Sequence, residues 1–203
     1  METSNARLMK MAEESLNGRW GLAIGTFFVY LIIITSIQLS SQLFPFIGLI
    51  TILIIGPLTL GLAIFSLNIS RDNNPQTDQL FAGFQNFGNS IVAYFLMGLF
   101  IVLWTLLLII PGIIAALSYS MTFYIIADDD TIGPMEAIDK SKEMMDGYKW
   151  KYFRLNLRFF GWALLCILTL GIGFLWLIPY INVSVAHFYD DLKKNQNNKH
   201  QEW

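Results

Sequence analysis

The chain has 203 residues, of which 55% are hydrophobic and only 14% charged, with 13 Lys and Arg against 15 Asp and Glu for a formal net charge of -2. A soluble domain carries about 25% charged residues, and a core of this size has no room for so much apolar chain, which excludes an ordinary soluble globule. A nucleic-acid partner is excluded as well, because phosphate binding needs a surplus of cations on one face.

The charges are confined to four short stretches. Between them lie three runs without a single Asp, Glu, Lys or Arg: Trp20 to Ser70, Gln79 to Ala127 and Phe159 to Tyr189. One helix crosses a hydrocarbon core with roughly 20 apolar residues, so runs of 51, 49 and 31 residues are each too long for one crossing. The expected fold is all-α: a polytopic membrane helix bundle, one transmembrane domain over residues 1–203, with six spans arranged as three hairpins and short cytoplasmic amphipathic helices before them.

In chain order, the first amphipathic helix places Leu8, Ala12, Leu16 and Met9 on one side, with Ser4 or Asn5 as its cap. Spans near 20–42 and 47–69 follow, broken at Phe44, Pro45 and Phe46. The second amphipathic helix follows Thr77 and Asp78 and carries Leu80, Phe81, Phe84 and Phe87 at helical spacing. Spans near 89–110 and 112–127 are separated at Pro111 and Gly112. The third amphipathic helix starts at Pro134, turns Met135, Ile138 and Met145 to one side, and stops at Gly147. Spans near 154–170 and 174–190 close the chain around Gly171, Ile172 and Gly173.

An even number of spans brings all four charged stretches to one face, and the positive-inside rule makes that face cytoplasmic together with both termini. Pro57, Pro111 and Pro179 each precede an apolar stretch ending at Asp72, Asp128 and Asp190. Surface helix, span, break, span thus recurs three times. The identities are few, so triplication and convergence on ordinary hairpin grammar both stay open.

Between Tyr148 and Phe160 the cations Lys149, Lys151, Arg154 and Arg158 alternate with Trp150 and other aromatic residues. This is the pattern of an interfacial anchor, and Lys149, Trp150, Lys151, Arg154 and Arg158 are the candidate contacts for anionic lipid, at roughly 1 kcal/mol per cation.

Chemistry is mostly absent. The runs hold no carboxylate or cation to relay protons. His187 reads as an interfacial hydrogen-bonding group, and neither Cys166 nor any serine has a recognisable base partner. Asp128, Asp129 and Asp130 read as the cap and end of the fourth span. A diphosphate-binding DDxxD motif would need an aspartate where Ile132 stands, and a CDP-alcohol transfer motif fails at Tyr148 and Lys149. Among neutral polar groups, Tyr119, Ser120 and Asn182, with His187, are the candidates for a polar path through the bundle.

Several strings occur together in order: Leu80, Phe81, Gly83 and Phe84; Trp104, Pro111 and Gly112; Tyr119, Met121, Tyr124, Ala127 and Asp128; Ser141, Met145, Gly147 and Phe153; then Gly161, Trp162, Thr169, Gly171, Gly173, Trp176, Pro179, Tyr180, Phe188 and Tyr189. The chain thereby resembles the uncharacterised bacterial membrane family catalogued as domain of unknown function 975, from Leu16 to Leu192. The resemblance implies an integral protein of the bacterial plasma membrane and supplies no activity, cofactor or catalytic residue. Arg158 departs from the family, whose segment before Gly161 and Trp162 is usually less charged.

The expectation is a non-enzymatic protein that binds lipid or another membrane protein, without cofactor or metal. A carrier or channel-like protein for a neutral or hydrophobic solute is the alternative. A membrane-embedded lipid enzyme would require Asp128 to Asp130 to face a cleft beside His187.

Overall fold

The computed structural model describes residues 3–43 and 47–201, with side chains for all of these except 43, 47–50, 52 and 197–201. Ten helical elements cover them, and no strand occurs among the described residues. They are α1 (Asn5–Leu16), α2 (Trp20–Leu43), α3 (Ile47–Ser70), a 3₁₀ segment (Thr77–Phe84), α4 (Phe87–Leu107), α5 (Ile109–Tyr119), α6 (Thr122–Asp128), α7 (Pro134–Met144), α8 (Lys149–Leu168) and α9 (Phe174–Gln201). The break expected at Phe44 to Phe46 lies outside the described residues.

Helix α1 forms as its spacing requires. Ser4 Oγ accepts from the Arg7 backbone N–H at 3.3 Å, and Asn5, Leu8, Ala12 and Leu16 are buried. It ends before Gly18, whose φ of +77° is the left-handed conformation that stops a helix without a Cβ penalty. Gly147 has the same φ of +77° between α7 and α8. Met135, however, is exposed, and the buried side of α7 consists of Ala137, Ile138, Ser141 and Met144.

The second amphipathic element is a 3₁₀ helix rather than an α-helix, which changes its faces. At three residues per turn, positions i and i+3 eclipse. Leu80 and Gly83 turn inward, while Phe81, Phe84 and Phe87 form an outward ladder with ring centroids 6.5 and 6.3 Å apart. The cause is close packing on α3: a Cβ on Gly61 would collide with the Leu80 backbone, and one on Gly83 with the Pro57 carbonyl.

The second hairpin turns at Leu108, extended at φ -161° and ψ 144°, not at Pro111. Pro111 occupies the first turn of α5, where its missing N–H costs no hydrogen bond. Gly112 instead permits α4 and α5 to meet, because a Cβ there would strike Thr105. The stretch expected as one span over 112–127 is interrupted between α5 and α6. Ser141 on α7 fills the interruption: its hydroxyl donates to the Ser118 carbonyl at 2.7 Å and accepts from the Met121 N–H at 3.2 Å. In the third hairpin, Thr169 to Gly173 turn as expected, with Leu170 at φ +54° and Gly171 at +87°.

Among the described residues, four stretches are long and apolar enough to cross a membrane: Trp20–Gln42, Leu53–Ser70, Phe87–Leu107 and Ile109–Asp128. Helix α8 falls short because four cations occupy its first ten residues, Lys149 to Arg158. The core lies at the charged end of the bundle, where the later part of α3, α6 and the middle of α9 pack together beneath α1 and α7. Helices α2 and α4 bury few of their side chains and expose apolar ones such as Phe28, Ile32, Leu39, Phe95, Leu99 and Val102.

Candidate functional site

The sequence places an aspartate at the end of each apolar stretch, and the fold brings two of them together. Arg71, just beyond α3, donates through Nη1 to Asp128 at 2.6 Å and through Nη2 to Asp190 at 2.6 Å. Asp128 also accepts from Lys193 and from the Tyr189 hydroxyl, the latter at 3.0 Å. Burial works against the Arg71 charge, yet hydrogen bonds to Asp190 and Asp128 outweigh it and raise the guanidinium pKa. Asp72, the third of the aspartates, pairs with Arg19.

This arrangement replaces the capping role expected of Asp128. A carboxylate at the last position of α6 opposes the helix dipole, and two cations offset that opposition. Asp129 shapes the following turn by accepting from the Thr131 N–H at 3.1 Å and the Thr131 hydroxyl at 2.6 Å, which lowers its pKa. Among the described residues, no group of His, Cys, Asp and Glu is arranged to hold a metal ion.

His187 departs from the expectation of a serine without a base. Its Nε2 lies 3.0 Å from Ser15 Oγ, and its ring also bonds the Met11 backbone. With the other nitrogen donating to the Met11 carbonyl, Nε2 accepts the Ser15 hydroxyl proton. The pair has cavities of about 450 and 420 Å³ beside it. Their charged lining is mixed, with Arg19, Arg71 and Lys194 among Glu14, Asp72, Asp190 and Asp191. The bond ties α1 to α9.

The candidate polar path does not come together around one space. Tyr119 packs against Phe100, with Lys142 5.7 Å over its ring. Ser120 donates to its own helix at the Leu117 carbonyl, 2.8 Å. Asn182 donates to Ile178 at 2.9 Å, and its backbone carbonyl accepts from Tyr124 at 3.3 Å.

The candidate lipid contacts divide into two groups. Lys151 points inward: its ammonium donates to the Thr3 carbonyl at 2.5 Å and lies 3.9 Å from Asp191, and burial lowers its pKa although Asp191 opposes the shift. Lys149, Arg154 and Arg158 form no ion pair among the described residues, and the two arginines are exposed. Beside them Trp150, 66% exposed, stacks on Phe153 at 5.3 Å and 18°. Spacings of four from Trp150 through Arg154 to Arg158 put all three on one stripe of α8.

The family described as "Protein of unknown function (DUF975)" matches residues 1–112 and, in a second stretch, residues 105–196. The chain belongs to this family. No curated protein and no solved structure matches it. The residues that carry the DUF975 resemblance hold structural positions: Gly83 against Pro57, Gly112 against Thr105, Ser141 in the α5–α6 break, and Gly147 and Gly171 at positive φ. The Arg71 cluster, the Ser15 to His187 bond and the role of Ser141 are what sequence reading missed. The recurring terminal aspartates were the available signal for the first of these.

Proposed function

We propose that this DUF975 protein is a six-span, non-enzymatic protein of the bacterial plasma membrane, with both termini cytoplasmic, that binds anionic lipid through the outer stripe of α8. The observation that carries the reading is the exposed Trp150–Phe153 stack flanked by Lys149, Arg154 and Arg158 without carboxylate partners among the described residues. Aromatic rings settle at headgroup depth, and unpaired cations beside them meet lipid phosphates at roughly 1 kcal/mol each. Lys151 takes no part, because its ammonium belongs to Asp191 and Thr3.

Tryptophan quenching by brominated lipids in reconstituted membranes tests this. The protein should prefer brominated anionic lipid over its zwitterionic counterpart, and the variant carrying Lys149→Gln, Arg154→Gln and Arg158→Gln should lose most of that preference. An unchanged preference in the variant would sink the reading.

A further inference from the structure

A second surface feature, separate from the α8 stripe, lies where α9 touches both α2 and α8. A groove of about 330 Å³ runs there, with Trp20 at one wall, Trp162 at the other, and Trp176, Leu177 and Tyr180 along α9. Glu13 of α1 stands at one end, and Cys166 and Gly173 close the other. Gly173 permits that closure, because a Cβ there would lie 2.7 Å from Cys166 Sγ. From Tyr180 to Gly173 the groove follows seven residues of α9, about 10 Å at the helical rise.

Its chemistry is asymmetric. Three indoles and a phenol line an otherwise apolar space, and the only ionised group on its wall is the Glu13 carboxylate. Glu14, its neighbour, is 3.8 Å from Lys10, whereas Glu13 has no cationic partner among the described residues. Trp162 and Trp176 are about half exposed, so the groove opens to the outside of the bundle. Aromatic rings beside a carboxylate attract an ammonium group, and indole is the best of the aromatic partners. The apolar remainder suits an alkyl chain.

We infer that the groove between α2 and α8 binds a membrane-dissolved amphiphile with an ammonium head, the head against Glu13 and the tryptophans and the chain along α9. This goes beyond the lipid reading of α8, which concerns anionic headgroups on a different surface.

The test uses the full chain in neutral-detergent micelles with dodecyltrimethylammonium as the probe and tryptophan fluorescence as the readout. A saturable change is expected, absent with dodecyl sulfate at the same concentration and much weaker with tetramethylammonium, which lacks the chain. Glu13→Gln should weaken binding about tenfold, the scale of one cation–carboxylate and ring attraction. Trp162→Leu, on the outer face of α8, should weaken it as well, with thermal melting of both variants unchanged. Equal affinity in Glu13→Gln, or an equal response to dodecyl sulfate, would overturn the inference. The variant neutralised at Lys149, Arg154 and Arg158 should bind the probe as the parent does, so failure at one surface is distinguishable from failure at the other.

Discussion

Ser141 shows how much one hydroxyl can carry. It is fully buried, and it satisfies a carbonyl and an N–H that the α5–α6 interruption releases from the helical ladder. Ser141→Ala leaves both groups unpaired in a buried place, at a cost of about 1–3 kcal/mol. Chemical unfolding in detergent should show that loss, while Ser40→Ala, whose hydroxyl bonds the Ser36 carbonyl one turn back in α2, should change little. None of this was legible beforehand. A serine on an amphipathic helix carries no mark that its partners lie 20 and 23 positions earlier. The inward turn of Lys151 was hidden for the same reason, since its partners Thr3 and Asp191 are remote in sequence.

At the level of helices, what could be read locally was read well. Ser4 caps α1, Gly147 ends α7, and Gly171 turns the third hairpin, because caps and left-handed glycines act within a few residues. Elements shaped by a neighbour were misjudged. Pro111 looked like a helix break, yet the chain turns three residues earlier and uses the proline to begin α5. Leu80 and the three phenylalanines looked like one α-helical face until α3 forced a 3₁₀ period. Gly83→Ala tests that contact, because its methyl meets the Pro57 backbone, which has little freedom to yield. The expected penalty is about 1–3 kcal/mol or more, read from thermal unfolding. Gly88→Ala, in the first turn of α4 with nothing within 4 Å, should be neutral or slightly stabilising.

Across the whole molecule, the charge map marks apolar runs long enough to cross a membrane, and chemistry decides the depth of the α8–α9 hairpin. After Arg158, α8 has ten apolar residues before the turn, about 15 Å of helix against a core of about 30 Å. Full crossing therefore asks Arg154 and Arg158 to extend their side chains toward the headgroups. Both ends of the hairpin return to the same side whether or not it crosses fully, so the orientation of the other charged stretches is unaffected. Leu170, 94% exposed at the turn, is the site to probe. In a Cys166→Ser background, Leu170→Cys should react with an impermeant maleimide on intact cells, whereas Asn73→Cys should react only after permeabilisation. A silent Leu170→Cys would show that the hairpin stops within the bilayer.

The ties between α9 and the start of the chain also set an order of events during synthesis. Ser15 bonds His187, Thr3 bonds Asp191, and Arg71 takes Asp190 as one of its two carboxylates. The ribosome delivers those partners more than a hundred residues after the groups that need them. Until then α1 has its smaller contact with α3, and the larger one with α9 is missing. A chain stopped after Gly173 should therefore expose α1 to protease while α2 and α3 stay protected in the membrane. Arrival of α9 is the step that locks the start of the chain to its end.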